Sequence, residues 1–192
     1  MNEYLKPIFE IVLPRMQSKN IKYWIYGGIG YASMFSKCYR NNMDVDLFVT
    51  ENDFNNVEKL LTELCKDNDW RVVKSNLKSG RPKLDLKIKK GQKEVERMSI
   101  TPVYMKEEYL EIKFTRITLK YPVRDFKQVE RLLDGYKFFT PEDSLLRSLF
   151  VNYLKSKKEY PDRKKRIEDA RHLLTKEDFK KYFPNENYDK NI

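Results

Sequence analysis

The spacing of apolar positions divides the chain into elements. Leu5, Ile8, Phe9, Val12, Leu13 and Met16 recur every three or four residues, which predicts an N-terminal amphipathic helix bent at Pro7 or Pro14. Tyr23, Trp24, Ile25 and Tyr26 are aromatic or β-branched and stop at Gly27-Gly28, so they predict a strand feeding a tight turn. A short helix is expected over 29–37 and a second strand over Val45–Val49. Asp53 is placed to cap a helix from Phe54 to about Lys66, with Val57, Leu60, Leu61 and Leu64 on one face. Segments 70–73, 83–89, 95–105 and 112–123 read as strands.

From about Lys127 the pattern turns helical. Thr140-Pro141-Glu142-Asp143 predicts a helix start with Thr140 as the cap, followed by a stripe of Leu145, Leu146, Leu149, Phe150 and Tyr153. Further helices are expected over 162–174 and 176–182. These elements predict an α/β (α+β) chain, with a sheet unit over residues 1–125 and a small helical unit over 126–192.

Composition changes this picture in a few places. At 192 residues the chain suits one domain or a domain with a small appendage. It has no apolar run of about 18 residues, so no membrane span is expected. Its start lacks the apolar stretch of a secretory signal. Two isolated cysteines, Cys38 and Cys65, exclude a disulfide framework and point to a reducing cytoplasm. The net charge of +10 favours anionic partners such as nucleotides or RNA, although the lysines are interleaved with acids as on an ordinary solvated surface.

Three carboxylates carry the candidate chemistry. Asp44 and Asp46 stand two apart at a strand start, so both face one side of a sheet. Asp85 sits between Leu84 and Leu86 in another strand. Burying an acid there is costly unless a charge offsets it, and magnesium prefers such hard oxygen ligands. Three acids on neighbouring strands predict two ions flanking an in-line displacement. Gly27 and Gly28, between a strand and a helix start, would let backbone amides approach a phosphate. The alternatives are ordinary ones: solvated carboxylates, an exposed strand-edge acid, and a purely structural turn. Tyr23, Trp24 and Tyr26 suit core packing better than base stacking. The single histidine, His172, reads as an ordinary helix residue.

The run Trp24-Ile25-Tyr26-Gly27-Gly28, with Arg40-Asn41-Asn42-Met43-Asp44-Val45-Asp46-Leu47, resembles the DNA polymerase β-like nucleotidyltransferase superfamily. It is most similar to the small aminoglycoside and lincosamide nucleotidyltransferases, and also to abortive-infection toxin members. The resemblance covers residues 21–50, extends to 83–88, and is loose beyond 140. It implies a nucleotidyltransferase fold with a mixed sheet flanked by helices. It implies that Gly27 and Gly28 cradle a nucleoside triphosphate, and that Asp44 and Asp46 hold Mg2+. Asp85 would complete the metal site or act as base, and Arg40 would touch phosphate or acceptor. Arg163 to Asp169 is similar to the family's Arg-x-Lys-Asp-x-x-Asp pattern, which makes Lys165 a nucleotide contact. The alternative is that Lys165 and Asp169 belong to a solvated helix face. Arg166 stands where the pattern has Asp, and Asn42 near where relatives have His. The implied activity is transfer of a nucleoside monophosphate to a small-molecule hydroxyl, with a homodimer possible. An RNA acceptor or a non-catalytic nucleotide-binding module is the alternative.

Overall fold

A computed structural model describes residues 2–77, 80–90, 93–113, 118–156 and 162–189. Strand β1 (Tyr23–Tyr26) runs antiparallel to β2 (Val45–Thr50), and β2 runs parallel to the long β5 (Lys93–Met105). Antiparallel β4 (Pro82–Lys90) and β3 (Trp70–Asn76) complete the row β1-β2-β5-β4-β3. The far end of β5 pairs with β6 (Tyr109–Lys113), and β6 with β7 (Thr118–Pro122). The predicted strand over 112–123 is thus parts of two strands, with 114–117 outside the described residues. The sheet is mixed and flanked by helices, as expected.

Alternation along these strands separates two environments. Tyr23, Ile25, Val45, Leu47, Leu84, Leu86, Met98 and Ile100 face the main core. There they meet the N-terminal helical segment and helix α3 (Glu51–Asp67). Trp24, Phe48 and Val103 face the other side, against Leu145 and Leu149 of α4 (Asp143–Lys155).

The N-terminal segment is helical, with a π turn over Ile8–Val12 ahead of α1 (Leu13–Ser18). Pro14 has no amide to donate back to Glu10, so the ladder widens there. Helix α2 (Gly27–Ser33) begins at the glycine pair. Helix α3 starts earlier than predicted because Thr50, not Asp53, is its cap. The Thr50 hydroxyl accepts from the Asp53 amide at 3.2 Å and donates to the Asp53 carboxylate at 2.8 Å.

The helical expectation after Lys127 is wrong over 129–140. Strands β8 (Val129–Leu133) and β9 (Tyr136–Thr140) form a hairpin instead. Asp134 and Gly135 both take positive φ, 50° and 86°, as a two-residue hairpin turn of primed type requires. Thr140 therefore ends a strand and caps nothing; α4 begins three residues later, behind Glu142. Leu133 and Phe138 carry the hairpin into the main core beside Phe9. Helices α5 (Arg163–Leu173) and α6 (Lys176–Tyr182) form where expected. They pack Ile167, Ala170, Leu173 and Phe179 against Tyr31 of α2 and Phe150 of α4.

Candidate active site

Strand pairing places the polar residues in one row across the sheet. Tyr26 pairs with Asp46, Asp46 with Ser99, and Ser99 with Asp85. Side chains paired in this way share a face, and two strand spacings put the Asp46 and Asp85 backbones about 10 Å apart. Asp44 lies just ahead of β2 and is exposed. Tyr26 closes the row on the β1 side, stacked on Phe48 with ring centroids 3.8 Å apart. Burial, and then the Asp46 charge, hold its phenol well above the usual range.

Asp46 is the electrostatic focus. Burial raises its pKa from 3.8 to about 7, the Asp44 carboxylate adds to the rise, and Lys83 and Arg166 oppose it. Gly27 presses on it from the α2 side. With φ at +66°, Gly27 occupies the left-handed region, and a Cβ there would lie 2.4 Å from Asp46 Oδ2. At Gly28 a Cβ would meet Asn42 Oδ1 at 2.2 Å and Arg40 Nη2 at 2.4 Å. The glycine pair is therefore packed directly against the acidic strand start. Gly27→Ala should cost about 1–2 kcal/mol for the left-handed backbone alone, and more for the displaced carboxylate. Denaturant melts of the purified variant, read as a fall in midpoint at constant slope, would show it.

Asp85 is 7% exposed and held by a neighbour that the sequence reading passed over. Lys83 Nζ stands 2.7 Å from Asp85 Oδ1 and 3.6 Å from Glu96 Oε1. Burial lowers the Lys83 pKa, but Asp85, Glu96 and Asp46 outweigh it and the net shift is upward. Burial raises Glu96, against the pull of Lys83. Among the described residues no three His, Cys, Asp or Glu side chains converge as a metal-binding group. Asp44 and Asp46 thus occupy one end of the row, and Asp85, with its lysine, the other.

The loop between α2 and β2 is fastened from two sides. Arg97 is 1% exposed and donates from Nη1 to the Met43 carbonyl at 3.0 Å, bracing the residue before Asp44. Arg40 forms a forked pair with Asp169 of α5, Nε to Oδ1 at 2.6 Å and Nη2 to Oδ2 at 3.1 Å. Tyr39 donates to the same Asp169 Oδ1 at 3.1 Å, and Arg166 Nη1 lies 3.5 Å from Oδ2. Asp169 is fully buried, which corrects its reading as part of a solvated face. His172 stacks on Tyr39 at 4.0 Å. Lys165 pairs with Asp162 at 3.8 Å and is 43% exposed, whereas Arg166 acts on Asp46 electrostatically.

A glycine turn seated on an Asp44-Val45-Asp46 strand start, with a third acid on the same sheet face, matches a known family over the same stretch. The model of the aminoglycoside-2''-adenylyltransferase family matches residues 9–114, more than half of the chain and inclusive of Gly27, Gly28, Arg40, Asp44, Asp46 and Asp85. The chain belongs to this family. It is a nucleotidyltransferase. No curated protein matches it in sequence. Solved structures show the shared nucleotidyltransferase fold. ANT(2'')-Ia in complex with adenylyl-2''-tobramycin superposes with a TM-score of 0.64 at 17% identity, covering 94% of this chain and 95% of that one. The lincomycin-bound lincosamide adenylyltransferase LnuA gives 0.61 at 13% identity, covering 90% and 96%. An antigenic nucleotidyltransferase-like protein from Paracoccidioides brasiliensis gives 0.54 at 16%, covering 88% and 74%.

Around the candidate site, Lys83, Glu96 and Arg97 went unnamed in the sequence reading of this nucleotidyltransferase, and Arg166 was given no role there. Strand alternation places Lys83 on the face of Asp85, and that signal was available. Arg166 depended on how α5 docks, which no local pattern reports.

Proposed function

We propose that this nucleotidyltransferase moves a nucleoside monophosphate from a nucleoside triphosphate onto a hydroxyl of a small antibiotic of the aminoglycoside or lincosamide type, releasing pyrophosphate. The contact of Gly27 with Asp46 carries the reading. It sets the start of α2 against Asp46, a carboxylate that burial and Asp44 hold at a raised pKa despite Lys83 and Arg166.

That charge balance fits a hard divalent cation. Burial and the neighbouring Asp44 carboxylate raise the pKa of Asp46, and a cation that prefers oxygen ligands relieves both. Asp44 and Asp46 are the residues to hold magnesium, which when bound offsets the triphosphate charge and polarises the α-phosphate. Gly27 and Gly28 let the triphosphate lie close to the backbone. Asp85 takes the proton of the acceptor hydroxyl. The hydroxyl oxygen bonds to the α-phosphorus as the bond to the α,β-bridging oxygen breaks, and that oxygen leaves with pyrophosphate. The acceptor class is supported by family membership and by what the structural neighbours hold: adenylyl-2''-tobramycin in ANT(2'')-Ia and lincomycin in LnuA.

The test is label transfer from each of four α-labelled triphosphates to a panel of aminoglycosides, lincosamides and total RNA. Labelled antibiotic is the expected product. Labelled RNA with unlabelled antibiotics would replace this reading with the RNA acceptor that the +10 charge favours. Gly28→Val should raise the KM for triphosphate by roughly tenfold or more, because a side chain there would displace Asn42 and Arg40 from the turn. An unchanged KM would make the turn merely structural.

A further inference from the structure

We propose that Lys83 stands in for a second metal ion, so that the site takes one divalent cation at Asp44 and Asp46, while the Lys83 ammonium balances Asp85. The inference rests on the functional reading above and specifies the cation count of that same site.

Four observations carry it. Lys83 and Asp85 are two apart on β4, so alternation puts both on the site face. The ammonium bridges Asp85 at 2.7 Å and Glu96 at 3.6 Å. Among the described residues, the Lys83 ammonium at 2.7 Å is the polar contact of the buried Asp85 Oδ1, which has no other hydrogen-bond partner. The Lys83 side chain is only 22% exposed and Asp85 is nearly buried, so water screens the pair weakly.

A lysine and a metal ion have different consequences for Asp85. A carboxylate bound to a divalent ion is a poor proton acceptor, because the ion occupies its lone pairs and withdraws charge. An ammonium offsets the charge of the carboxylate without occupying a coordination position, and its flexible stem lets it swing aside. Asp85 paired with Lys83 can thus serve as base to the acceptor hydroxyl, while Asp44 and Asp46 serve the triphosphate. Divergence of the two ends follows from the sheet, which holds Asp46 and Asp85 two strands apart with Ser99 between.

Manganese titration monitored by electron paramagnetic resonance tests the proposal directly. The full chain is saturated with α,β-methylene ATP, or with the GTP analogue in a parallel series, and free Mn2+ is counted. Wild-type protein should bind one nucleotide-dependent Mn2+ per chain. Lys83→Met should acquire a second, at least tenfold tighter than any second ion in the wild type, and Lys83→Arg should keep one. Two ions of comparable affinity in the wild type would overturn the proposal, and that count decides the matter even if the Met variant does not fold. A folded Lys83→Met protein that still binds one ion would also overturn it. Absence of any nucleotide-dependent Mn2+ binding would instead sink the functional reading, and this inference with it.

Discussion

Asp46→Asn should abolish nucleotidyl transfer and, in metal-free protein near pH 8, raise the melting temperature. The loss of activity should be at least about a thousandfold if Asp46 holds the cation as proposed, since a bound divalent ion contributes several kcal/mol of charge stabilisation to the displacement. The gain in stability follows from linkage. The carboxyl of Asp46 is held in the fold at about 7, against 3.8 when free, by burial and by Asp44. Between those values the folded chain binds more protons than the unfolded one, so metal-free stability falls as pH rises from about 4 to about 7. Below that window the penalty is absent, and above it the penalty is complete. An amide carries no charge to desolvate, so the variant should lack this decline and gain at least about 1 kcal/mol at pH 8. Melting scans in EDTA at pH 5 and pH 8 read both effects. A variant that melts lower than the wild type at pH 8, or that turns over normally, contradicts the placement of Asp46 in the site.

Asp169→Asn should be strongly destabilising. It removes the charge that compensates Arg40, whose own side chain is only 9% exposed. Breaking one partner of a buried, forked pair costs about 3–5 kcal/mol, because the remaining guanidinium stays desolvated. At about 2–4 °C per kcal/mol for a chain of this size, the melting temperature should fall by roughly 10 °C. Activity should fall as well, because Arg40 lies against Gly28 and the same carboxylate holds Tyr39. Asp169→Asn with Arg40→Met should recover part of the stability, since both charges then leave together. A double variant no more stable than the single one would show that the pair contributes little.

Much of the candidate site's local structure was legible because it lies within a short stretch of chain. The strand, glycine turn and Asp44-Val45-Asp46 start all lie within residues 23–50, where alternation and turn chemistry act over a few positions. The same local logic failed at the β8–β9 hairpin. Its apolar spacing over 129–140 fits a helix, and the Asp134-Gly135 turn was passed over. The cap of α3 was misplaced by one turn because Thr50 and Asp53 form a reciprocal pair, and either residue alone suggests a cap.

By itself, the sequence determined which residues are strand or helix formers, where the backbone must turn through glycine, and which acids sit inside apolar strands. These are properties of neighbours in the chain. Only the tertiary structure decided how the charges are shared. It set Asp46 and Asp85 at two ends of a row across three strands, gave Asp85 a lysine in place of a shared cluster, and buried Asp169 under Arg40. Each of these depends on which strands pair and where α5 docks, and electrostatic energy follows distance and burial, which order along the chain does not encode.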